Sequence, residues 1–261
     1  MEGLTGKNLK TDSGNLKLWK QFEEWKRECY WVDLSHELSP DTPHWVGWDA
    51  LTVEEKMNLD NSIFAAHAYT TVGQYGTHVD APVHMVKGGR TLSQVGIHEM
   101  VMPMCIINKE EACNMNPDYI LTVQDILDWE MEYGKIPEGA FVVFQSGWSK
   151  RDPETMDNLD DDGNRHFPGW SKEAVEFLVH QRNIASIGHE TSDTEAPITS
   201  GKTNYEVEYY MLAQDRIQLE MLCNLDKCPP VGSIAFCTFP NVLDGTGYPA
   251  RVFALCEKEM E

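Results

Sequence analysis

Apolar and polar residues follow two different periodicities along the chain, and together these predict strands and a few helices. Short apolar runs typical of buried strands occur at residues 63–71, 101–107, 140–145, 184–188, 234–239 and 251–255. Apolar residues spaced three or four positions apart indicate helices at residues 15–29, 122–131, 171–179 and 204–214. The pattern therefore predicts one α/β domain with a mixed β-sheet core and few helices.

The first predicted helix belongs to an N-terminal extension, residues 1–29, which precedes the main domain at residues 30–261. Its apolar residues share one stripe: Leu18, Trp19, Phe22, Trp25 and Cys29. We expect this stripe to pack against the body of the protein or against a second subunit. Residues 1–14 are polar, and we expect them to be frayed.

Composition excludes several classes of partner. The 261 residues include 21 basic and 42 acidic side chains, which give a net charge of −21. This charge argues against nucleic acid and anionic membranes as partners. No apolar stretch approaches the ~18 residues of a membrane span, and no signal peptide is recognisable. The 7 cysteines lack a regular spacing, which favours reduced thiols and a cytoplasmic protein.

The clearest chemical signal is the segment QYGTHVDAPVH, which begins at Gln74 and ends at His84. In an extended chain, residues two apart share a face, so the side chains of Gln74, His78, Asp80 and His84 could lie on one side. Imidazole and carboxylate groups are suitable ligands for a divalent metal ion. Pro82 would end or bend the strand and place His84 beyond the metal, where it could transfer protons. A polar strand end without a metal is the alternative.

This segment resembles the signature H-x-G-T-H-x-D-x-P-x-H of the cyclase family, which includes bacterial kynurenine formamidase and isatin hydrolase. Every specified position agrees except the first, where Gln74 replaces a histidine. The chain is also similar to the family at D-L-S-H, residues 33–36, and at G-x-G-x-P-A-R, residues 245–251. The resemblance covers roughly residues 30–256, and it implies a swivelling β/β/α-type fold.

The resemblance implies one or two divalent metal ions per chain. The implied ligands are Gln74, His78, Asp80, Glu208 and Glu220. Glu208 lies twelve residues before Glu220 (220 − 208 = 12), at a position where the family often has a histidine. Two nitrogen ligands of the family are therefore oxygen ligands here, which favours Mn²⁺ at least as much as Zn²⁺. The same changes could instead leave a site for a single metal ion.

Two further segments are candidates for the substrate pocket. Trp45 and Trp48 lie in a proline-containing loop, where they would form an aromatic pocket wall or simply pack against the body of the protein. His189 begins a polar loop after a predicted strand, and this loop resembles the family segment G-x-D-T-x-S-x-D, with Glu190 in place of the first Asp. We expect His189 to border the substrate.

These features predict a metal-dependent amidohydrolase that acts on a small aryl formamide or cyclic amide. Metal-activated water would attack the amide carbonyl, with His84 as general base and then general acid. Glu220 would bind the metal or orient the water. The alternatives are hydrolysis of a lactone or another cyclic compound, or metal binding without turnover. The resemblance also implies a homodimer or a larger homo-oligomer.

Overall fold

The computed structural model describes residues 16–258, so the segment predicted to be frayed lies outside the described residues. The described strands are Cys29–Asp33 (β1), Thr52–Met57 (β2), Ala66–Thr70 (β3), His78–Asp80 (β4), Val101–Asn108 (β5), Ile120–Leu121 (β6), Phe141–Gln145 (β7), Gly169–Trp170 (β8), Ser186–His189 (β9), Ile217–Glu220 (β10), Ser233–Thr238 (β11), Gly247–Pro249 (β12) and Arg251–Glu257 (β13). The described α-helices are Lys17–Glu28 (α1), Glu110–Met115 (α2), Val123–Tyr133 (α3), Lys172–Arg182 (α4), Pro197–Thr203 (α5) and Glu206–Ala213 (α6). None of these helices combines the length and apolar character needed to cross a bilayer.

One large mixed sheet organises the molecule. Its nine strands follow the order β1-β13-β11-β5-β7-β9-β10-β4-β12. The central strands β5, β7, β9 and β10 are parallel, and antiparallel strands flank them on both sides. This architecture confirms the predicted α/β domain with a mixed sheet and few helices.

Both faces of the central sheet are covered, and strand β7 shows this most clearly. All five of its residues are buried, as expected for a central strand with cover on both sides. Phe141 and Val143 point into one apolar cluster. Val142 and Phe144 point into the other, which includes side chains of α3, α4 and α6. The strands that carry the polar site therefore rest on a rigid, well-packed support.

Two predicted helix starts are confirmed by their capping hydrogen bonds. Ser171 precedes α4 and accepts a hydrogen bond from the backbone N–H of Ala174 at 3.1 Å. Thr122 precedes α3 and forms a reciprocal capping box with Asp125. Such caps satisfy backbone donors that have no partner within the helix, which explains why each helix begins where it does.

Helix α1 and the hairpin of β2 and β3 lie at the surface and contain no fully buried residue. Helix α1 has no buried residue, and Trp19 remains 59% exposed. Strands β2 and β3 form a separate two-stranded sheet, in which every residue of β2 is exposed. The sequence pattern predicted β3 but not β2, because β2 has neither apolar alternation nor an apolar run. In the apolar stripe of α1, Trp25 and Cys29 are thus half-buried, whereas Leu18, Trp19 and Phe22 remain exposed.

Candidate active site

Antiparallel pairing of β4 with β10 brings four polar side chains together. His78 lies opposite Glu220, and Asp80 lies opposite Gln218. Residues two apart on a strand share a face, so all four side chains form one polar group on the same side of the sheet. All four are buried. The sequence analysis did not select Gln218, although its position two residues before Glu220 on a strand was a usable signal.

Three of these side chains form a candidate metal centre. One ligand atom each from His78, Asp80 and Glu220 lie within 4.8 Å of one another. The Nε2 atom of His78 is 3.5 Å from Asp80 Oδ2 and 3.5 Å from Glu220 Oε2. His78 Nδ1 lies 2.8 Å from the carbonyl oxygen of Gly76, and this contact holds the ring with Nε2 toward the two carboxylates.

The electrostatics of this cluster suit a cation. Burial opposes protonation of His78, but the Asp80 and Glu220 carboxylates raise its pKa to about 9. Burial opposes ionisation of Asp80, but His78 lowers its pKa to about 2. Burial, together with the neighbouring Asp80, raises the pKa of Glu220 well above its usual value. Two buried acids beside one imidazole repel each other, and a divalent ion would relieve that repulsion. The residues present therefore fit a divalent metal ion.

Gln74 and His84 lie next to this cluster, in a conformation that differs from the prediction. Gly76 has a φ of 61°, so the chain turns between Gln74 and the strand, and the predicted continuous strand is wrong. The Gln74 amide nevertheless donates to Asp80 Oδ1 at 3.2 Å and lies 3.3 Å from His84 Nδ1. Residues Pro82–His84 form a 3-10 turn, which confirms the bend predicted at Pro82.

Glu208 approaches the other side of His84 from helix α6. Its Oε1 atom lies 3.5 Å from His84 Nε2. Burial, together with the charges of Glu220 and Asp80, raises the pKa of Glu208 well above its usual value. The His84 side chain remains 27% exposed, so it can exchange protons with solvent. Metal binding by Gln74 and by Glu208 stays a prediction.

A cavity of about 160 Å³ opens onto these groups. Trp45 and Trp48 line one side of it, with ring centroids 5.1 Å apart. Ser192 and Tyr205 also line the cavity, although the sequence analysis selected neither residue. The cavity is thus polar where it meets the metal cluster and aromatic toward its rim, as expected for a site that binds a small flat molecule.

The structure places His189 away from this lining. Its side chain is buried, and its Nε2 atom lies 3.3 Å from Glu220 Oε1. Glu190, the next residue, points elsewhere and accepts backbone hydrogen bonds from Ser146 at 2.7 Å and Gly147 at 2.6 Å. His189 and Glu190 therefore lie behind the site, although Ser192 further along the same loop lines the cavity. The structure does not bring His189 to the substrate cavity as expected.

Comparison with known proteins agrees with this geometry. Residues 32–196, more than half of the chain, match the protein family described as "Putative cyclase". The chain belongs to this cyclase family. The match spans the segment Gln74–His84, so the predicted family resemblance is confirmed.

Three isatin hydrolases are similar to this cyclase-family chain. The enzyme of Roseibium aggregatum is 32% identical over 204 residues, which represent 75% of this chain and 76% of the relative. Isatin hydrolase A from Labrenzia aggregata, solved with benzyl benzoate, has a TM-score of 0.86 and 30% identity, over 93% of this chain and 100% of that one. An isatin hydrolase bound to the product analogue thioisatinate has a TM-score of 0.85 and 26% identity, over 95% of this chain and 100% of that one. These likenesses confirm the predicted fold.

Proposed function

We propose that this protein is a metal-dependent hydrolase that cleaves the C–N bond of a small amide. The observation that carries the proposal is the buried cluster of His78, Asp80 and Glu220 beside a cavity that also contains His84. The similarity to isatin hydrolases supports the same class of reaction, because isatin is a cyclic amide.

The metal ion would be held by His78 Nε2 and by the carboxylates of Asp80 and Glu220. A divalent ion held there would supply a Lewis acid for the amide carbonyl and would lower the pKa of water at the site. His84 accepts a proton from the attacking water and then donates a proton to the leaving nitrogen. Its position between Gln74 and Glu208 keeps the ring in place, while its partial exposure gives the proton a path to solvent.

Gln74 and Glu208 are the two further ligands in this proposal, and one or two ions would bind. Counting both, four of five ligand side chains offer oxygen, which favours Mn²⁺ at least as much as Zn²⁺. Metal analysis of protein purified without chelator tests this preference. Manganese in the purified protein would support it, whereas zinc alone at two ions per chain would contradict it.

The substrate we propose is flat and carries an amide in or beside an aromatic ring. Trp45 and Trp48 offer apolar ring surface to the cavity, and the cavity volume of about 160 Å³ suits a small substrate. Isatin and aryl formamides satisfy both conditions. Lactones of similar size would also fit, and they remain the second candidate because the same polarised carbonyl chemistry cleaves esters.

A panel of isatin, aryl formamides and small lactones, each with added Mn²⁺ or Zn²⁺, tests the proposed function. We expect turnover of a cyclic amide or a formamide. A chelator should abolish this turnover, and added metal should restore it. Turnover of lactones alone would shift the assignment to ester cleavage. Bound metal with no turnover across the panel would contradict catalysis and favour a metal-binding role.

We also propose that the protein forms a homodimer or a larger homo-oligomer. On helix α1 the side chains of Leu18, Trp19 and Phe22 are 81%, 59% and 46% exposed, and an apolar surface of this kind is typical of an interface. Light scattering coupled to size exclusion checks the assembly, and a monomer would contradict it. The cytoplasmic location stays a prediction, with which the seven free thiols are compatible.

A further inference from the structure

The buried imidazole of His189 has no partner that explains its position. Only 1% of the residue is exposed, and within residues 16–258 neither ring nitrogen has a hydrogen-bond partner. A buried polar group without a hydrogen bond destabilises a fold, so such a group often has a functional role. A neutral imidazole carries one N–H donor and one acceptor nitrogen, so His189 has a hydrogen bond to offer.

The sheet register aims His189 at one of the candidate metal ligands. Strands β9 and β10 are parallel, and Gly188 pairs with Leu219. One residue further along both strands, His189 therefore lies beside Glu220, which itself pairs with His78 across β4. His78, Glu220 and His189 form a row across three neighbouring strands, with the glutamate in the middle.

The two carboxylate oxygens of Glu220 face opposite histidines. Oε2 lies 3.5 Å from His78 Nε2, on the side of the metal cluster. Oε1 lies 3.3 Å from His189 Nε2 and also accepts a hydrogen bond from the Gln218 amide at 3.0 Å. This distance of 3.3 Å is just beyond the usual range of about 2.7–3.2 Å for N–H···O hydrogen bonds.

We propose that His189 is a positioning residue of the metal centre, which donates a hydrogen bond from Nε2 to Glu220 Oε1 and thereby directs Oε2 toward the metal ion. The inference rests on the proposed function, because it assigns a role relative to the same metal. Side chains that hold a metal ligand from behind typically change metal affinity about 10–100-fold when they are removed. The backbone of His189 is held next to β10, since its carbonyl accepts a hydrogen bond from the Leu222 N–H at 3.0 Å.

Metal titration of two variants tests this assignment. His189→Ala removes the donor, whereas His189→Gln keeps an N–H donor close to the position of Nε2. Chelator-treated protein is titrated with Mn²⁺ to obtain the Kd, and Co²⁺ absorption spectra report the geometry of the bound ion. Thermal unfolding without added metal monitors the folding of each variant. His36→Ala is the control, because His36 is half-buried and also has an unpartnered Nε2 but makes no hydrogen bond or ion pair to Glu220 in the described part of the chain.

We expect His189→Ala to raise the Kd for Mn²⁺ about 10–100-fold. His189→Gln should recover most of this affinity and keep the wild-type Co²⁺ spectrum, and His36→Ala should bind like the wild type. Unchanged affinity in His189→Ala would overturn the inference, as would a glutamine variant that binds no better than the alanine variant.

Wild-type protein that binds neither ion would instead overturn the proposed metal centre itself. If His189→Ala does not fold, the glutamine variant alone decides: near wild-type affinity supports the hydrogen bond, and a loss of more than about tenfold refutes it.

Discussion

Replacement of His84 by alanine should remove most of the catalysis while leaving the metal in place. His84 is the only one of the proposed reacting groups with substantial exposure, at 27% of its side chain. Its contacts are polar and long, 3.3 Å to Gln74 and 3.5 Å to Glu208, so their loss should alter the fold little. A general acid–base group contributes about 10²–10⁴-fold to turnover. A 10²-fold loss corresponds to about 2.7 kcal/mol in the activation free energy.

The assay measures kcat on the best substrate of the panel, together with the metal content of each variant. His67→Ala is a suitable control because His67 lies exposed on β3, away from the cavity lining. We expect His84→Ala to keep the wild-type metal content and to lose about 10²-fold or more in kcat. Full activity with metal bound would remove His84 from the mechanism, and loss of the metal would make His84 a ligand.

Three further predictions concern metal preference, stability and pH. Gln74→His adds an imidazole beside Asp80 and should shift the measured affinity ratio toward Zn²⁺ over Mn²⁺; an unchanged ratio would show that Gln74 does not approach the metal. Glu190→Gln weakens the hydrogen bonds that the carboxylate accepts from the backbone at residues 146 and 147. The free energy of unfolding, measured by urea denaturation, should fall by about 2 kcal/mol. A change below about 0.5 kcal/mol would contradict the role of that carboxylate. Hydrogen bonds with Asp118 and Asp160 raise the pKa of His166, so its stabilising effect is fully present below about pH 6.5 and is lost as the pH rises through the raised value. His166→Gln should therefore lower the urea midpoint more at about pH 5.5 than at about pH 9, and an equal loss at both would refute the ion pair.

The sequence predicted the parts of the site that lie within one short segment. His78 and Asp80 share a strand, and two-residue periodicity within a strand is a local property that a sequence displays directly. The bend that carries His84 was also predictable, because Pro82 cannot continue the ladder. Gln74 shows the limit of this reasoning. A turn at Gly76 breaks the strand, and the amide reaches Asp80 only through that turn.

The parts that depend on pairing between distant strands were not predictable from the residues alone. The register of β4 with β10 places Gln218 opposite Asp80, and the parallel pairing of β9 with β10 places His189 behind Glu220. The sequence indicates β9 only as a short apolar run at residues 184–188, and such a run gives no register. Family resemblance supplied Glu220, and Gln218 could have been inferred from its position two residues earlier on the same strand, whereas Ser192 and Tyr205 needed the folded chain.

The most direct test of the whole account is the metal dependence of isatin hydrolysis by wild-type protein and by Asp80→Asn. Isatin opening is followed by absorbance, with bound metal measured in the same samples after chelation and after addition of Mn²⁺. In the wild type we expect turnover that chelation abolishes and Mn²⁺ restores. In the variant we expect both metal binding and turnover to be lost. The proposed metal centre would be contradicted if wild-type turnover persisted without bound metal. It would also be contradicted if Asp80→Asn bound metal and hydrolysed isatin as well as the wild type.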